Sequence, residues 1–230
     1  MAEITYSAGG RKCSGYLADG SGGKPAPGVL VLHEGNGLSG NTRSKCDLLA
    51  GMGYVAFAVD MFGETKEPMT VLGALVQDVP EWRARLNTGL AALTSQPNVD
   101  GSKLAAIGFC FGGTSAIELA RSGAEVKAVV GFHSGLGWGV AEDSKNITAM
   151  VLVCIGDADP LIPKDQRDAF MANMAESGVD CQMLLMTGVE HSFTNKEAAS
   201  IKMAGLKYDA KAERRSWAAM KDLFDEAFAA

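Results

Sequence analysis

The sequence has no cluster of lysine and arginine residues and no long apolar run. It carries 21 Lys and Arg residues against 27 Asp and Glu residues, so it lacks the basic patch that binds nucleic acids or anionic membranes. No stretch approaches the roughly 18 uninterrupted apolar residues of a membrane-spanning helix, and the N-terminal segment does not resemble a secretory signal. We therefore expect a cytoplasmic protein with a small-molecule substrate and no nucleic-acid or membrane partner, with a monomer and a homodimer both open.

Cysteine and histidine are also scarce. The five cysteines are an odd number without a C-x-x-C pair, which argues against a disulfide framework and a zinc site. The three histidines lack the spacing of metal ligands, so we predict no metal and no cofactor. Four cysteines lie in ordinary strand or helix patterns, where cysteine behaves as a small hydrophobe. Only Cys110 lies in a sequence context that suggests chemistry.

Proline and low-complexity tracts are rare as well, which leaves the composition of an ordinary globular chain. Hydrophobic residues make up 47% and charged residues 21% of the sequence, as in folded domains. A chain of 230 residues is long enough to bury one substantial core, so a single domain over residues 1–230 is predicted.

Apolar runs and helix-like segments alternate along the chain, after a strand-like stretch that turns at Gly9-Gly10. The predicted strands are 28–35, 53–63, 104–107, 127–133, 150–156 and 181–187, and the predicted helices are 42–52, two between 71 and 94, one from 114, 164–177 and 210–228. This order predicts an α/β fold, with a mostly parallel sheet flanked by helices and an N-terminal antiparallel hairpin.

Ligands of such sheets bind beyond the carboxyl ends of the strands. The residues that directly follow the apolar runs include all three histidines, a cysteine and several carboxylates: His33, Glu34, Gly35, Asp60, Met61, Phe62, Cys110, Phe111, His133, Ser134, Asp157, Ala158, Asp159, Glu190, His191 and Ser192. A nucleophile, an acid and a base therefore occur in the chain order Cys, Asp, His, which is the order of the hydrolase triad.

The segment GFCFGG, residues 108–113, joins a predicted strand to a predicted helix. In the G-x-S-x-G elbow a serine holds the central position, which here belongs to Cys110. A thiol needs an imidazole or a helix N-terminus to ionise at neutral pH, and His191 together with the following helix would supply both. The N–H groups of Phe111 and Gly35 are the candidate oxyanion donors. Spacing alone does not decide whether Asp157 or Asp159 orients His191.

Four segments, HEGNGL, GFCFGG, GDADPLIP and EHSF, resemble the corresponding segments of dienelactone hydrolase (carboxymethylenebutenolidase) and its relatives in the α/β-hydrolase superfamily. The resemblance spans nearly the whole chain and implies an α/β-hydrolase fold with a triad of Cys110, Asp159 and His191. It favours Asp159 because the family's aspartate directly precedes the P-L-I-P-like segment. It also implies that Glu34 contacts the resting thiol and restrains it until a substrate binds.

The sequence departs from the family's pattern at the residues that would bind a substrate. Dienelactone hydrolase proper holds its substrate's carboxylate with arginines, one of them four residues after the catalytic histidine, where this chain has Asn195. No counterpart of the other arginine is evident, since Arg83 and Arg85 are interpreted as helix-surface residues. The resemblance thus implies the chemistry rather than dienelactone as the substrate.

The residues expected to line the substrate pocket are Phe62, His133, Trp138 and Asn195. The predicted function is the hydrolysis of a small ester or lactone by a cysteine nucleophile through a thioester. A glutamine amidotransferase-type domain also uses such an elbow, but it pairs the cysteine with His-x-Glu, whereas His191 is followed by Ser192 and Phe193. A third hypothesis is a hydrolase-fold protein that binds ligands or senses oxidants through Cys110 without turnover.

Overall fold

An eight-stranded sheet forms the centre of the protein in a computed structural model that describes residues 1–229. Its strands are β1 (Ala2–Ala8), β2 (Arg11–Asp19), β3 (Ala26–Leu32), β4 (Val55–Val59), β5 (Val99–Phe109), β6 (Ala128–Phe132), β7 (Met150–Gly156) and β8 (Cys181–Met186). The helices are α1 (Gly40–Gly51), α2 (Pro68–Gln77), α3 (Val79–Thr94), α4 (Phe111–Arg121), α5 (Lys164–Glu176) and α6 (Ala210–Ala229).

The strand order is β1-β2-β4-β3-β5-β6-β7-β8. Strands β1 and β2 form an antiparallel hairpin, β2 pairs antiparallel with β4, and all pairs from β4 to β8 are parallel. The hairpin turns at Gly9 and Gly10, whose φ angles are 57° and 70°, in the left-handed region that glycine adopts without steric cost. The predicted mostly parallel sheet with an N-terminal antiparallel hairpin is confirmed.

The sheet is buried on both faces. Within β4, Val55, Phe57 and Val59 contribute to one apolar cluster and Ala56 and Ala58 to the other. Helices α2 to α5 cover the first face, and α1 and α6 cover the second. Because both faces are covered, the central strands are continuous apolar runs in the sequence rather than alternating ones. None of the helices within residues 1–229 is both long and apolar enough to cross a bilayer.

Several predicted boundaries differ from the structure, and two of the differences have clear local causes. The strand predicted over 53–63 ends at Val59, because the carboxylate of Asp60 accepts the N–H groups of Phe62 and Gly63 at 3.0 and 2.9 Å and turns the chain. Helix α1 begins at Gly40 rather than Thr42, since the hydroxyl of Ser39 accepts the N–H of Thr42 at 3.4 Å and caps the helix.

The interpretation of Arg85 as a surface residue was also wrong. Arg85 is buried, donates to the carbonyl oxygen of Met61 at 2.8 Å and pairs with Glu81. Arg83 is mostly shielded and pairs with the fully buried Glu118. A guanidinium is buried only when its donors are paired, and these partners come from other turns and elements, so spacing along the helix did not reveal them.

Candidate active site

Cys110 lies at a strained turn between β5 and α4. Its φ and ψ angles are 54° and −118°, which is unusual for any residue other than glycine. The turn is so tight that a Cβ on Gly108 would lie 1.9 Å from the carbonyl oxygen of Gly112, and a Cβ on Gly112 would lie 2.1 Å from that of Leu32. The glycines on either side of the cysteine are therefore required for close approach of strand, turn and helix.

The first turn of α4 leaves a backbone donor free beside the cysteine. Among the described residues, the N–H groups of Phe111 and Gly35 donate no hydrogen bond to another protein group. The N–H groups at a helix N-terminus carry partial positive charge. The predicted oxyanion donors are thus available, and their role remains a prediction.

His191 and Asp159 form a buried pair. The Nδ1 atom of His191 lies 2.6 Å from Oδ2 of Asp159, and each residue is 3% exposed. The other carboxylate oxygen of Asp159 accepts the N–H of Leu161 at 2.9 Å, which fixes its orientation. Asp157, the alternative from spacing, is exposed and accepts the N–H of Gly188 instead. The structure therefore brings Asp159, and not Asp157, to the histidine.

The second ring nitrogen of His191 lies on the side of the thiol. Nε2 is buried, and no hydrogen-bond partner for it is found within residues 1–229. Burial lowers the pKa of His191, but the hydrogen bond to Asp159 and the neighbouring Cys110 sulfur outweigh burial and raise that pKa to about 10. Because Asp159 occupies Nδ1, the thiol of Cys110 acts on Nε2. Nε2 is therefore the nitrogen that can exchange a proton with the thiol.

Glu34 lies close to this pair but is hydrogen-bonded elsewhere. It is 6% exposed, and its Oε2 accepts the side-chain N–H of Asn195 at 3.0 Å. Burial raises the pKa of Glu34, while the nearby His191 lowers it. Among the described residues no hydrogen bond joins Glu34 to Cys110, so the restraining contact implied by the resemblance is replaced here by one to Asn195.

A cavity of about 210 Å³ opens beside the thiol. Its walls include Cys110 and His191 together with Phe111, Trp138, Leu161 and Gln166. Of the four residues expected to line a substrate pocket, Trp138 does so. Gln166 was not anticipated, because it lies in the first turn of α5 and its pattern is that of a solvated helix residue.

His133, Phe62 and Asn195 are not on this wall, which corrects their prediction as pocket residues. The His133 ring is fully buried behind His191, with centroids 4.9 Å apart, and its Nε2 lies 2.9 Å from the hydroxyl of Thr194. Phe62 lines a separate cavity, and the Asn195 side chain holds Glu34. Strand-end position alone therefore does not distinguish lining residues from those that pack behind them.

Lys45 is a further residue that the sequence reasoning missed. It lies in α1, is 2% exposed, and its Nζ donates to the carbonyl oxygen of Thr194 at 2.8 Å and to Glu213 at 2.6 Å. It thereby fixes the segment that follows His191 against α1 and α6. The sequence holds one indication of this burial: Lys45 lies four positions before Leu49, which places both residues on the same helix face.

Comparisons with known proteins identify relatives in sequence and in fold. A protein from Aquifex aeolicus whose name assigns it provisionally to the carboxymethylenebutenolidases is 29% identical over 224 residues, 93% of each chain. The crystal structure of a dienelactone hydrolase-like promiscuous phosphotriesterase from metagenomic libraries superimposes with a TM-score of 0.93 at 41% identity, covering 98% of this chain and 97% of that one. A dienelactone hydrolase from Anabaena variabilis shares the fold at 19% identity, with a TM-score of 0.69 and 94% coverage of both chains.

A family model supports the same relationship over nearly the full length. The model described as the dienelactone hydrolase family matches residues 13–228, a range that contains the elbow at Cys110 and the Asp159–His191 pair. Because this model covers most of the chain, the protein belongs to the dienelactone hydrolase family.

Proposed function

We propose that the protein hydrolyses small esters or lactones with Cys110 as nucleophile, His191 as base and Asp159 as the residue that orients the base. The observation that carries this proposal is the state of His191, whose Nδ1 is held by Asp159 at 2.6 Å while Nε2 is unpaired on the side of the thiol. A base oriented by a carboxylate and open toward a nucleophile is the arrangement that acyl transfer requires.

The reaction follows from this arrangement. The raised pKa of His191 favours transfer of the Cys110 proton to Nε2 before a substrate binds, and the resulting thiolate attacks the carbonyl carbon of the ester. The N–H groups of Phe111 and Gly35 stabilise the resulting oxyanion. His191 then gives its proton to the leaving oxygen as the C–O bond breaks, which leaves a thioester. Water, deprotonated by the same nitrogen, attacks the thioester and releases the acid and the thiol.

Glu34 acts as a supporting group rather than a reacting one. Its carboxylate lies near the His191 ring and is buried, so a negative charge there stabilises the imidazolium that forms when His191 has taken the thiol proton. Asn195 holds this carboxylate in place through its hydrogen bond. The position that would contribute a carboxylate-binding arginine is therefore committed to an internal contact, which favours neutral substrates.

The test is hydrolysis of p-nitrophenyl acetate and a panel of simple lactones. Wild type should turn them over, iodoacetamide should abolish turnover, and Cys110→Ala should be inactive with an unchanged circular dichroism spectrum. Cys181→Ala is the matched control, since burial raises the pKa of that thiol to about 12 and it lies away from the cavity, so its loss should leave activity intact.

Two results would contradict the proposal. Release of ammonia from glutamine would establish an amidotransferase-type reaction. No turnover across the panel, together with rapid and reversible oxidation of Cys110, would establish a sensing or binding role.

Phosphotriester hydrolysis is a second candidate activity, favoured by the 41% identity and TM-score of 0.93 to a protein described as a promiscuous phosphotriesterase. The thiolate of Cys110 would attack phosphorus in line with the leaving p-nitrophenolate and form an S-phosphoryl enzyme, with the phosphoryl oxygen directed toward the oxyanion donors. Release of p-nitrophenol from paraoxon by wild type, and its loss in Cys110→Ala, would establish this activity at the same site.

A further inference from the structure

A second cavity, of about 180 Å³, shares part of its wall with the cavity beside Cys110. The two share Gly137, Trp138 and Gln166 as walls, and Trp138 is 47% exposed. They are therefore adjacent compartments of one groove, with the indole between them. We call the cavity at the thiol the first compartment and its neighbour the second compartment.

Gln166 places a hydrogen-bond donor where the compartments meet. Its Oε1 accepts the N–H of Leu136 at 2.9 Å. Because a backbone N–H can only donate, the oxygen and nitrogen of this amide are assigned without ambiguity. Nε2 donates to no other protein group within residues 1–229, and a Cβ on Gly137 would lie 2.8 Å from it. The glycine thus makes room for an amide whose free N–H borders the groove.

Arg121 lines only the second compartment, but its charge belongs to a balanced network, because Glu118 pairs with both Arg121 and Arg83 and Asp143 pairs with Arg83. Nη1 of Arg121 lies 3.4 Å from Glu118, which is fully buried, and 3.2 Å from the carbonyl oxygen of Trp138, while Nε of Arg121 donates to Ser144 at 3.1 Å. A buried cation with a buried anionic partner attracts a second anion weakly. The polar character of this compartment therefore suits a neutral hydrogen-bond acceptor better than a carboxylate.

The acyl part of a substrate is the part that would reach this compartment. His191 must approach the leaving oxygen to protonate it, and Leu161 and Ile162 line the first compartment with His191 but not the second. We therefore place the leaving group in the part of the first compartment next to Leu161, Ile162 and His191. The acyl chain, which stays attached to Cys110 as the thioester, then extends past Trp138.

We infer that the protein's substrates are esters or lactones whose acyl chain runs past Trp138 into the second compartment and carries a neutral carbonyl oxygen that accepts a hydrogen bond from Gln166. Gln166 and the residues lining the second compartment are then specificity-determining. This inference rests on the proposed hydrolase function and adds a substrate class to it.

Four p-nitrophenyl esters test the inference: the acetate, the hexanoate, the 5-oxohexanoate and the glutarate monoester. For each, kcat/KM is taken from p-nitrophenol release after subtracting the rate with Cys110→Ala. Wild type should prefer 5-oxohexanoate over hexanoate about fivefold, the range of one neutral hydrogen bond. It should not prefer the glutarate monoester, which has a carboxylate in place of the acetyl group, over 5-oxohexanoate.

Variants separate the roles of space and hydrogen bonding. Ala169→Leu narrows only the second compartment and should lower the ratio of kcat/KM for hexanoate over acetate at least fivefold. Ala172→Leu, the same change one helical turn further along α5 on its exposed side, should leave that ratio unchanged. Gln166→Glu keeps an acceptor for the N–H of Leu136 but removes the donor, so the preference for 5-oxohexanoate over hexanoate should disappear.

The outcomes distinguish this inference from the proposed function. If acetate is hydrolysed but Ala169→Leu and Ala172→Leu give the same hexanoate-to-acetate ratio, the acyl chain does not use the second compartment and the inference fails alone. A tenfold preference for glutarate would overturn the neutral-acceptor assignment. If wild type hydrolyses none of the four esters, the proposed function itself has failed.

Discussion

Two regions of the same sheet edge use similar residues for different purposes. After β3 and β4, the fully buried His33 lies with Nδ1 2.7 Å from the carbonyl oxygen of Glu34, while its Nε2 accepts the N–H of Met61 at 3.2 Å. The carboxylate of Asp60 accepts three backbone N–H groups, among them that of Ser14 at 3.2 Å. Both ring nitrogens of His33 and both carboxylate oxygens of Asp60 are therefore occupied by the fold.

The region after β5, β7 and β8 differs because some of its hydrogen-bonding capacity is unused. His191 has an unpaired Nε2, and the N–H of Phe111 is free. Cys110 has a positive φ of 54°, which costs on the order of 1–3 kcal/mol and persists only when the surroundings enforce it. A histidine at a strand end thus indicates chemistry only when the fold leaves one of its ring nitrogens without a hydrogen-bond partner.

The largest effect that would test this contrast is expected for Asp159→Asn. The amide can no longer hold the Nδ1–H tautomer of His191, so kcat should fall about a thousandfold, which corresponds to about 4 kcal/mol of transition-state free energy. Asp157→Asn is the control and should change kcat less than threefold, because that carboxylate is exposed and bonds only to a loop N–H. Equal losses in both variants would contradict the assignment of Asp159.

The next effect concerns the turn that holds the thiol. Gly112→Ala would place a Cβ 2.1 Å from the carbonyl oxygen of Leu32, so the free energy of unfolding in urea should fall by about 3 kcal/mol or more. A Cβ on Gly73, within α2, would have no atom within 4 Å. Gly73→Ala should therefore raise the free energy of unfolding by about 0.5–1 kcal/mol. Similar stabilities for the two variants would show that the turn is not closely packed.

A smaller effect is expected for His33, whose two ring nitrogens are both occupied by backbone groups. His33→Ala leaves a cavity and a buried N–H of Met61 without an acceptor, so the free energy of unfolding should fall by about 2–4 kcal/mol. The kcat of the fraction that remains folded should stay within about tenfold of wild type. A thousandfold loss of kcat would place His33 in the reaction and remove the distinction between the two regions.

The smallest effect is a pH dependence of stability. Asp159 and Cys110 outweigh burial and raise the pKa of His191 to about 10, above the value of about 6.5 in the unfolded chain. The stabilisation that arises from this raised pKa is complete below pH 6.5. It is lost as the pH rises toward 10, because in that range the folded state holds a proton that the unfolded state has released. Between pH 7 and 9.5 the free energy of unfolding should fall more steeply for wild type than for His191→Gln.

The slopes from urea unfolding should differ by at most about 1.4 kcal/mol per pH unit, the value for one proton. Parallel curves for the two proteins would show that His191 is not stabilised in its charged form, and the contrast with the neutral His33 would then have no electrostatic basis.

The sequence predicted the fold because its signals are local. The apolar runs of β3 and β7 are continuous since helices cover both faces, and the turn at Gly9-Gly10 follows from the backbone freedom of glycine. The cysteine of GFCFGG and the histidine of EHSF were identifiable because they directly follow a strand, at the edge where such sheets bind ligands.

Spacing along the chain, without the family resemblance, did not separate residues that share this edge but have side chains in different directions. Asp157 and Asp159 are two positions apart, yet one is exposed and the other is 3% exposed against His191. His133 follows a strand as His191 does, but its ring lies behind His191, and burial lowers its pKa well below the usual value. Which side chain reaches the cavity depends on loop conformation, which side-chain periodicity does not encode.

By itself the sequence determined the order of strands and helices, the buried faces and the tight turn at Cys110, because hydrophobic periodicity and glycine placement act over a few residues. Tertiary structure alone decided that Asp159 is paired with His191, that Asn195 is bound to Glu34, and that Trp138 and Gln166 shape the groove. The hydrogen-bonded pairs Asp159–His191 and Glu34–Asn195 join residues that are 32 and 161 positions apart. Their geometry is set by the packing of the whole sheet edge rather than by any local preference.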